Sequence, residues 1–118
     1  MAKVISISRN RFAPEVLDSE IPVVVELRKG CCAPCEKLEA IVERLADEFK
    51  GQIKFVKVNV SEESSLADYF DPHQLPALAL VDHSKDEGFY LGELQESEIR
   101  ERLQKWIAVV GVRQNSNT

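Results

Sequence analysis

The three cysteines of this chain, Cys31, Cys32 and Cys35, are all its cysteines and fall within Lys29-Gly30-Cys31-Cys32-Ala33-Pro34-Cys35-Glu36. Two of them form a Cys-x-x-Cys pair, Cys32-Ala33-Pro34-Cys35. The apolar run Pro22-Val23-Val24-Val25-Glu26-Leu27 before it reads as a strand, and Lys37 to Phe49 after it has helical spacing. A dithiol at such a strand-to-helix corner meets free backbone N–H groups and the positive end of the helix dipole, which favour a thiolate. That is the chemistry of a dithiol that exchanges electrons with disulfides. Half of a zinc site is the other use of such a pair. Zinc takes about four ligands, usually from two pairs. Here only Cys31, His73 and His83 could add to the first pair, and there is no second. The reading therefore expects redox chemistry, no metal and no cofactor.

A second residue able to do chemistry is Glu26, which interrupts an otherwise apolar strand. A lone carboxylate there is unfavourable unless it is paired or protonated. Burial would raise its proton affinity toward neutrality and let it exchange a proton with a thiol. The bland alternative puts Glu26 at the solvent end of the strand. Trp106 lies on a helical stripe and reads as core, and His73 and His83 read as loop surface.

The elements that must position these residues follow in alternation. Val4, Ile5 and Ile7 make a first strand, and Arg9 to Ser19 a helix with Pro14 near its start. Ile21 to Leu27 is a Val-rich central strand covered on both faces. On the helix after Cys35, Leu38, Ile41, Val42, Leu45 and Phe49 form one stripe, with Glu39, Glu43 and Asp47 away from it. Lys50-Gly51 is the stop signal. Ile53 to Val60 is a strand, Ser61 to Phe70 a short helix, and Leu75 to Val81 a strand that begins just after Pro76. Asp82 to Gly88 reads as a polar turn and Phe89 to Gly92 as a fifth strand, paired as a hairpin. Ser97 to Val110 is the last helix. The expected fold is α/β, a mixed five-stranded sheet in the order β-α-β-α-β-α-β-β-α with helices on both faces. One domain over 1–110 is expected, followed by a disordered tail over 111–118. At 118 residues, 44% hydrophobic and 30% charged, the chain can bury a core without staples. Its net charge of -5 argues against a nucleic-acid partner. No apolar run is long enough for a membrane helix, and the N-terminus lacks a signal peptide's apolar block, so a cytoplasmic protein is expected.

Over about its first 110 residues the chain resembles thioredoxin. Cys-Ala-Pro-Cys at 32–35 is similar to the family's Cys-Gly-Pro-Cys. Glu26, six residues before Cys32, falls where the family carries a buried aspartate, and Lys57 where it has a lysine close to that acid. Leu75-Pro76 falls at its cis-proline and Gly92 at a glycine of its substrate groove. The departures are local. Cys31 stands in place of the tryptophan before the first cysteine, and Arg28 in place of a second tryptophan. Ala33 replaces glycine, Glu26 aspartate and Ala77 threonine, and the Lys-Asn-Gly turn is replaced by Asp82 to Gly88.

The resemblance implies roles. Cys32 would attack a target disulfide and Cys35 would resolve the mixed disulfide. Glu26 would take the proton of Cys35, with Lys57 as its partner. Pro34 would stiffen the motif at an early helical position. Leu75, Pro76 and Gly92 would hold a target peptide as an added strand. Arg28 would add positive charge near the thiols, or lie solvated at the surface. The implied partners are disulfide-containing target proteins and a thioredoxin reductase as electron donor. The implied state is a monomer, with a Cys31-linked dimer on oxidation as the variant. A competing reading from a different class is a redox-regulated binding module or sensor that uses Cys31 with little turnover.

Overall fold

The Val-rich run forms β2, Val23–Arg28, and its first five residues are buried. In the computed structural model, residues 4–30, 32–70, 75–82, 85–91 and 95–116 are described; at Ser64, Ala67, 85–91 and 111–116 this is backbone alone. β2 lies at the centre of the sheet. β3 (Lys54–Asn59) runs parallel to it on one side, and β4 (Ala77–Asp82) runs antiparallel on the other. β5 (Lys85–Leu91) pairs antiparallel with β4. These four strands are the body of the sheet. The two-residue β1, Ile5–Ser6, pairs parallel with β3 at the edge, giving the order β1-β3-β2-β4-β5.

Strand alternation sends the sheet's side chains into two cores. Val23, Val25, Leu27, Val56, Val58, Ala77, Ala79 and Val81 pack on one face with Phe12, Val16, Leu66 and Phe70. These last four come from α1 (Arg9–Phe12, continued by a π-helical turn Ala13–Leu17) and α3 (Ser64–Phe70). On the other face Val24, Phe55, Leu78 and Leu80 meet Leu38, Val42, Leu45, Ile99, Leu103 and Trp106, from α2 (Ala33–Glu48) and α4 (Glu96–Ser116). Trp106 is core, as its stripe implies. Glu26 and Arg28 share the parity of Val24, and Lys57 that of Phe55, so three charged residues stand on the face that α2 and α4 cover.

Of the boundaries that differ from the sequence reading, three trace to a physical cause. The helix whose stripe is read from Lys37 begins at Ala33, in keeping with the early helical position expected of Pro34: Cys32 caps it and Pro34 fits its first turn, where no N–H is needed. Asp82 belongs to β4 and Lys85 to Gly88 belong to β5; the hairpin ladder extends from Ala77↔Leu91 to Asp82↔Lys85 through a register shift at Leu80/Val81. Backbone pairing there outweighs the polar composition that reads as a turn. The backbone of α4 stays helical past Val110 to Ser116, over part of the stretch expected as a tail. A single glycine at 111 is a weak helix breaker, and no proline follows it. At the other end of α2, Gly51 holds φ at 84°, a left-handed conformation that a side chain would strain.

Candidate active site

β2 ends at Arg28, and the chain turns through Lys29 and Gly30 into α2. Cys32 is the N-cap of that helix. It is extended (φ −158°, ψ 106°), and its sulfur accepts the Cys35 N–H at 3.2 Å. Sulfur thus occupies the place of a capping oxygen at the helix's positive end. Cys35 sits in the first turn and is fully buried on the face of α2 that carries Leu38 and Val42. Cys32 and Cys35 are joined as a disulfide, with Cα atoms 5.1 Å apart. Pro34 lies between them in the helix's first turn.

Pro76 and Leu75 come to the same end of the sheet. Ala77 pairs with Leu27 in the antiparallel register, so Pro76 stands level with Arg28, where the chain leaves for Cys32. The Leu75-Pro76 bond is cis, as the resemblance implies. Cys31, Gly92, His73 and His83 lie outside the described residues.

Glu26 is completely buried, and among the described residues neither carboxylate oxygen has a hydrogen-bond partner. Desolvation, and next the negative charge of Glu39, raise its pKa from 4.5 to about 7; Arg28 and Lys57 oppose them. The solvent-end alternative for Glu26 is therefore corrected: the residue is inside the sheet–helix seam.

Lys57 is adjacent to Glu26 in the parallel register, but its amino group bonds elsewhere. Lys57 Nζ lies 2.6 Å from Glu39 Oε1, and Arg28 pairs with Glu39 Oε2. The expected Lys57–Glu26 partnership is thus replaced by a three-residue ion network, because Glu39 reaches both cations from the helix above the sheet. Arg28 is not a solvated arginine. Its side chain is 18% exposed, and it also donates to the Gly30 carbonyl at 3.3 Å, bracing the loop to the cysteines.

Glu39 is the site residue that sequence reasoning missed. The apolar stripe of α2 skips it, so the spacing alone puts it on the outward side. The available signal was charge balance: Glu26, Arg28 and Lys57 on one sheet face leave a cation in excess. Glu39, one turn beyond Cys35, is the acid placed to meet it.

A Cys-x-x-Cys disulfide at a helix N-terminus, with a buried carboxyl on the preceding strand of a mixed α/β sheet, is the arrangement of the thiol–disulfide oxidoreductases. The thioredoxin family model matches residues 3–106, and the chain belongs to the thioredoxin family. It is 28% identical to "Thioredoxin 1" of Nostoc sp. over 105 residues, covering 89% of this chain and 98% of that protein. It is 34% identical to "Thioredoxin C-2" of Corynebacterium nephridii over 79 residues, covering 67% and 73%. It is 26% identical to "Thioredoxin" of Rickettsia felis over 102 residues, covering 86% and 97%. Among the described residues no helix is long and apolar enough to cross a membrane.

Proposed function

We propose that the chain is a protein-disulfide reductase of thioredoxin type. The observation that carries this reading is the Cys32–Cys35 pair at the N-terminus of α2, with the Cys32 sulfur accepting the Cys35 N–H. In the reduced protein the same N–H and the helix dipole stabilise a thiolate on Cys32. Cys32 sulfur attacks one sulfur of a target disulfide, and the other leaves as a thiolate. Cys35, buried one turn away, then loses its proton to ionised Glu26 and attacks Cys32 sulfur. The Cys32–target bond breaks, the Cys32–Cys35 bond forms, and the target departs carrying both electrons. The outgoing thiolate takes its proton from water. The location of Glu26 on the sheet face beneath α2, with a proton affinity near neutrality, supports its part in that transfer.

The level of Leu75 and Pro76 with the start of the Cys32 loop supports a target peptide docking there as an added strand, the use that the family resemblance also implies for Gly92. A thioredoxin reductase would return the disulfide to the dithiol, in the cytoplasm and with the protein as a monomer. Cys31, in place of a tryptophan, makes the site atypical and would supply the only cysteine available for an oxidative dimer. The assay is reduction of insulin disulfides by dithiothreitol with and without the protein. Wild type accelerates it, Cys32→Ser does not, and Cys35→Ser accumulates a mixed disulfide through Cys32. Stable mixed disulfides or dimers in wild type without turnover would favour the Cys31 sensor instead.

A further inference from the structure

We infer that Glu39 is a positioning residue for the proton step: it binds Arg28 and Lys57 to itself and leaves Glu26, among the described residues, with no cation to bond. The inference rests on the proposed use of Glu26 as the proton acceptor, and adds what controls it. Three observations carry it. Lys57 stands beside Glu26 on the neighbouring strand, about 4.8 Å away by sheet geometry, so its flexible side chain can reach either carboxyl. It is bonded to Glu39, at 2.6 Å. Arg28, two residues along β2 from Glu26 and on the same face, is bonded to Glu39 as well. Both cations are thus held by the acid on α2, and the completely buried carboxyl below keeps two oxygens without hydrogen bonds among the described residues.

The surroundings of Glu26 leave few other controls. β2 contributes Arg28, β3 contributes Lys57, and α2 contributes Glu39 and Glu43, which also acts to raise its proton affinity. From β4 the residue opposite is Leu78, and α4 brings Ile99 and Leu103 to this face. Removing the charge of Glu39 deletes a repulsion and releases two attractions at once, so Glu26 would lose its proton more readily. In the resolving step this matters directly. The Cys35 proton goes to ionised Glu26, the Cys32–Cys35 bond forms, and the target thiolate leaves. The pH at which Glu26 ionises therefore sets the pH above which resolution is fast.

The test is Glu39→Gln, which keeps the shape and removes the charge, with Glu26→Gln to identify the signal. The Glu26 carboxyl carbon is titrated by NMR in the oxidised protein, and the pH profile of mixed-disulfide resolution is recorded alongside. The expected result is a Glu26 midpoint lower by about one pH unit or more, and a resolution profile displaced by the same amount. A folded Glu39→Gln protein with an unmoved midpoint overturns the inference, even if its stability has fallen, since a merely structural role would do only that. Should the glutamine variant not fold, Glu39→Ala, in a helix that favours alanine, gives the same reading. The titration needs no substrate. A lowered midpoint without insulin reduction would sink the proposed function and keep only the hold of Glu39 on the Glu26 proton; normal reduction with an unmoved midpoint would overturn the inference and keep the function.

Discussion

Glu26 shows what one buried group does to the protein's dependence on pH. Its ordinary pKa of 4.5 becomes about 7 in the folded chain, first through loss of water and then through Glu39. Between these two values the native protein keeps a proton that the unfolded chain gives up. Stability therefore falls as pH rises through the window from 4.5 to 7, and stays at its reduced level above it. The difference of 2.5 units corresponds to about 3 kcal/mol. Glu26→Gln removes the titration while preserving shape. Its stability relative to wild type is expected to rise by about 3 kcal/mol between pH 4 and pH 8, measured by urea unfolding at the two pH values. An equal difference at both would mean that the carboxyl carries no burden when ionised. At this scale the sequence was legible wherever a residue broke a pattern. Glu26 was visible because it interrupts a run of valines, and Cys32 and Cys35 because of their spacing. Glu39 was not, because an acid on the polar side of an amphipathic helix breaks nothing; only the cross-strand neighbours Arg28 and Lys57 give it a purpose.

At the scale of elements, α2 carries the chemistry at its first turn and is held down by the rest of its length. Leu38, Val42, Leu45 and Ala46 are buried against Val24, Phe55 and Leu78 of the sheet and beside Ile99 and Leu103 of α4. α2 and α4 are also linked across their outer surfaces by Arg44–Glu96 at 2.6 Å and Arg100–Glu48 at 2.7 Å. The two kinds of contact differ in weight. Exposed ion pairs gain little, since water screens them and two long side chains must be ordered. A fully buried leucine loses both its transfer energy and its packing when truncated. Leu103→Ala is accordingly expected to destabilise by about 2–5 kcal/mol. Glu96→Gln should produce a much smaller change that fades further as salt is added. Urea titrations of both at low and high salt measure this, and a larger effect for Glu96→Gln would reverse the ranking. The apolar stripe of α2 was readable from its period alone. Its start lies outside that period, since Cys32, Ala33 and Pro34 carry none, and was readable instead from the motif, with Pro34 as a first-turn residue. The extent of β5 was hidden: Lys85 to Gly88 look like turn residues, and their strand conformation is fixed by the partner strand β4.

For the whole molecule, the central sheet separates two cores and leaves the redox pair at one end of the seam between the sheet and α2. That placement limits how strongly the redox state can act on global stability. The disulfide closes a very short loop, since Cys35 follows Cys32 by three residues. The loop-closure relation assigns such a bridge about 2 kcal/mol through restriction of the unfolded chain. Both cores are built from side chains other than Cys32, and neither depends on the bridge to bring distant segments together. The reduced protein should therefore remain folded, with a urea midpoint below that of the oxidised protein by an amount worth about 2 kcal/mol. By linkage, whatever free energy the bridge adds to the fold also makes the folded disulfide harder to reduce than the same pair in the unfolded chain, by about 40 mV for 2 kcal/mol. The two quantities can be measured independently, by urea unfolding with and without dithiothreitol, and by glutathione titration of the folded and denatured protein. The two must agree, because they close one thermodynamic cycle, so the test is their common size: a value of about 2 kcal/mol, or about 40 mV, is what chain restriction alone gives. A common value well away from it would mean that the helix N-terminus acts on the dithiol as well. A reduced protein that unfolds outright would mean that the bridge, rather than the two cores, holds the molecule together.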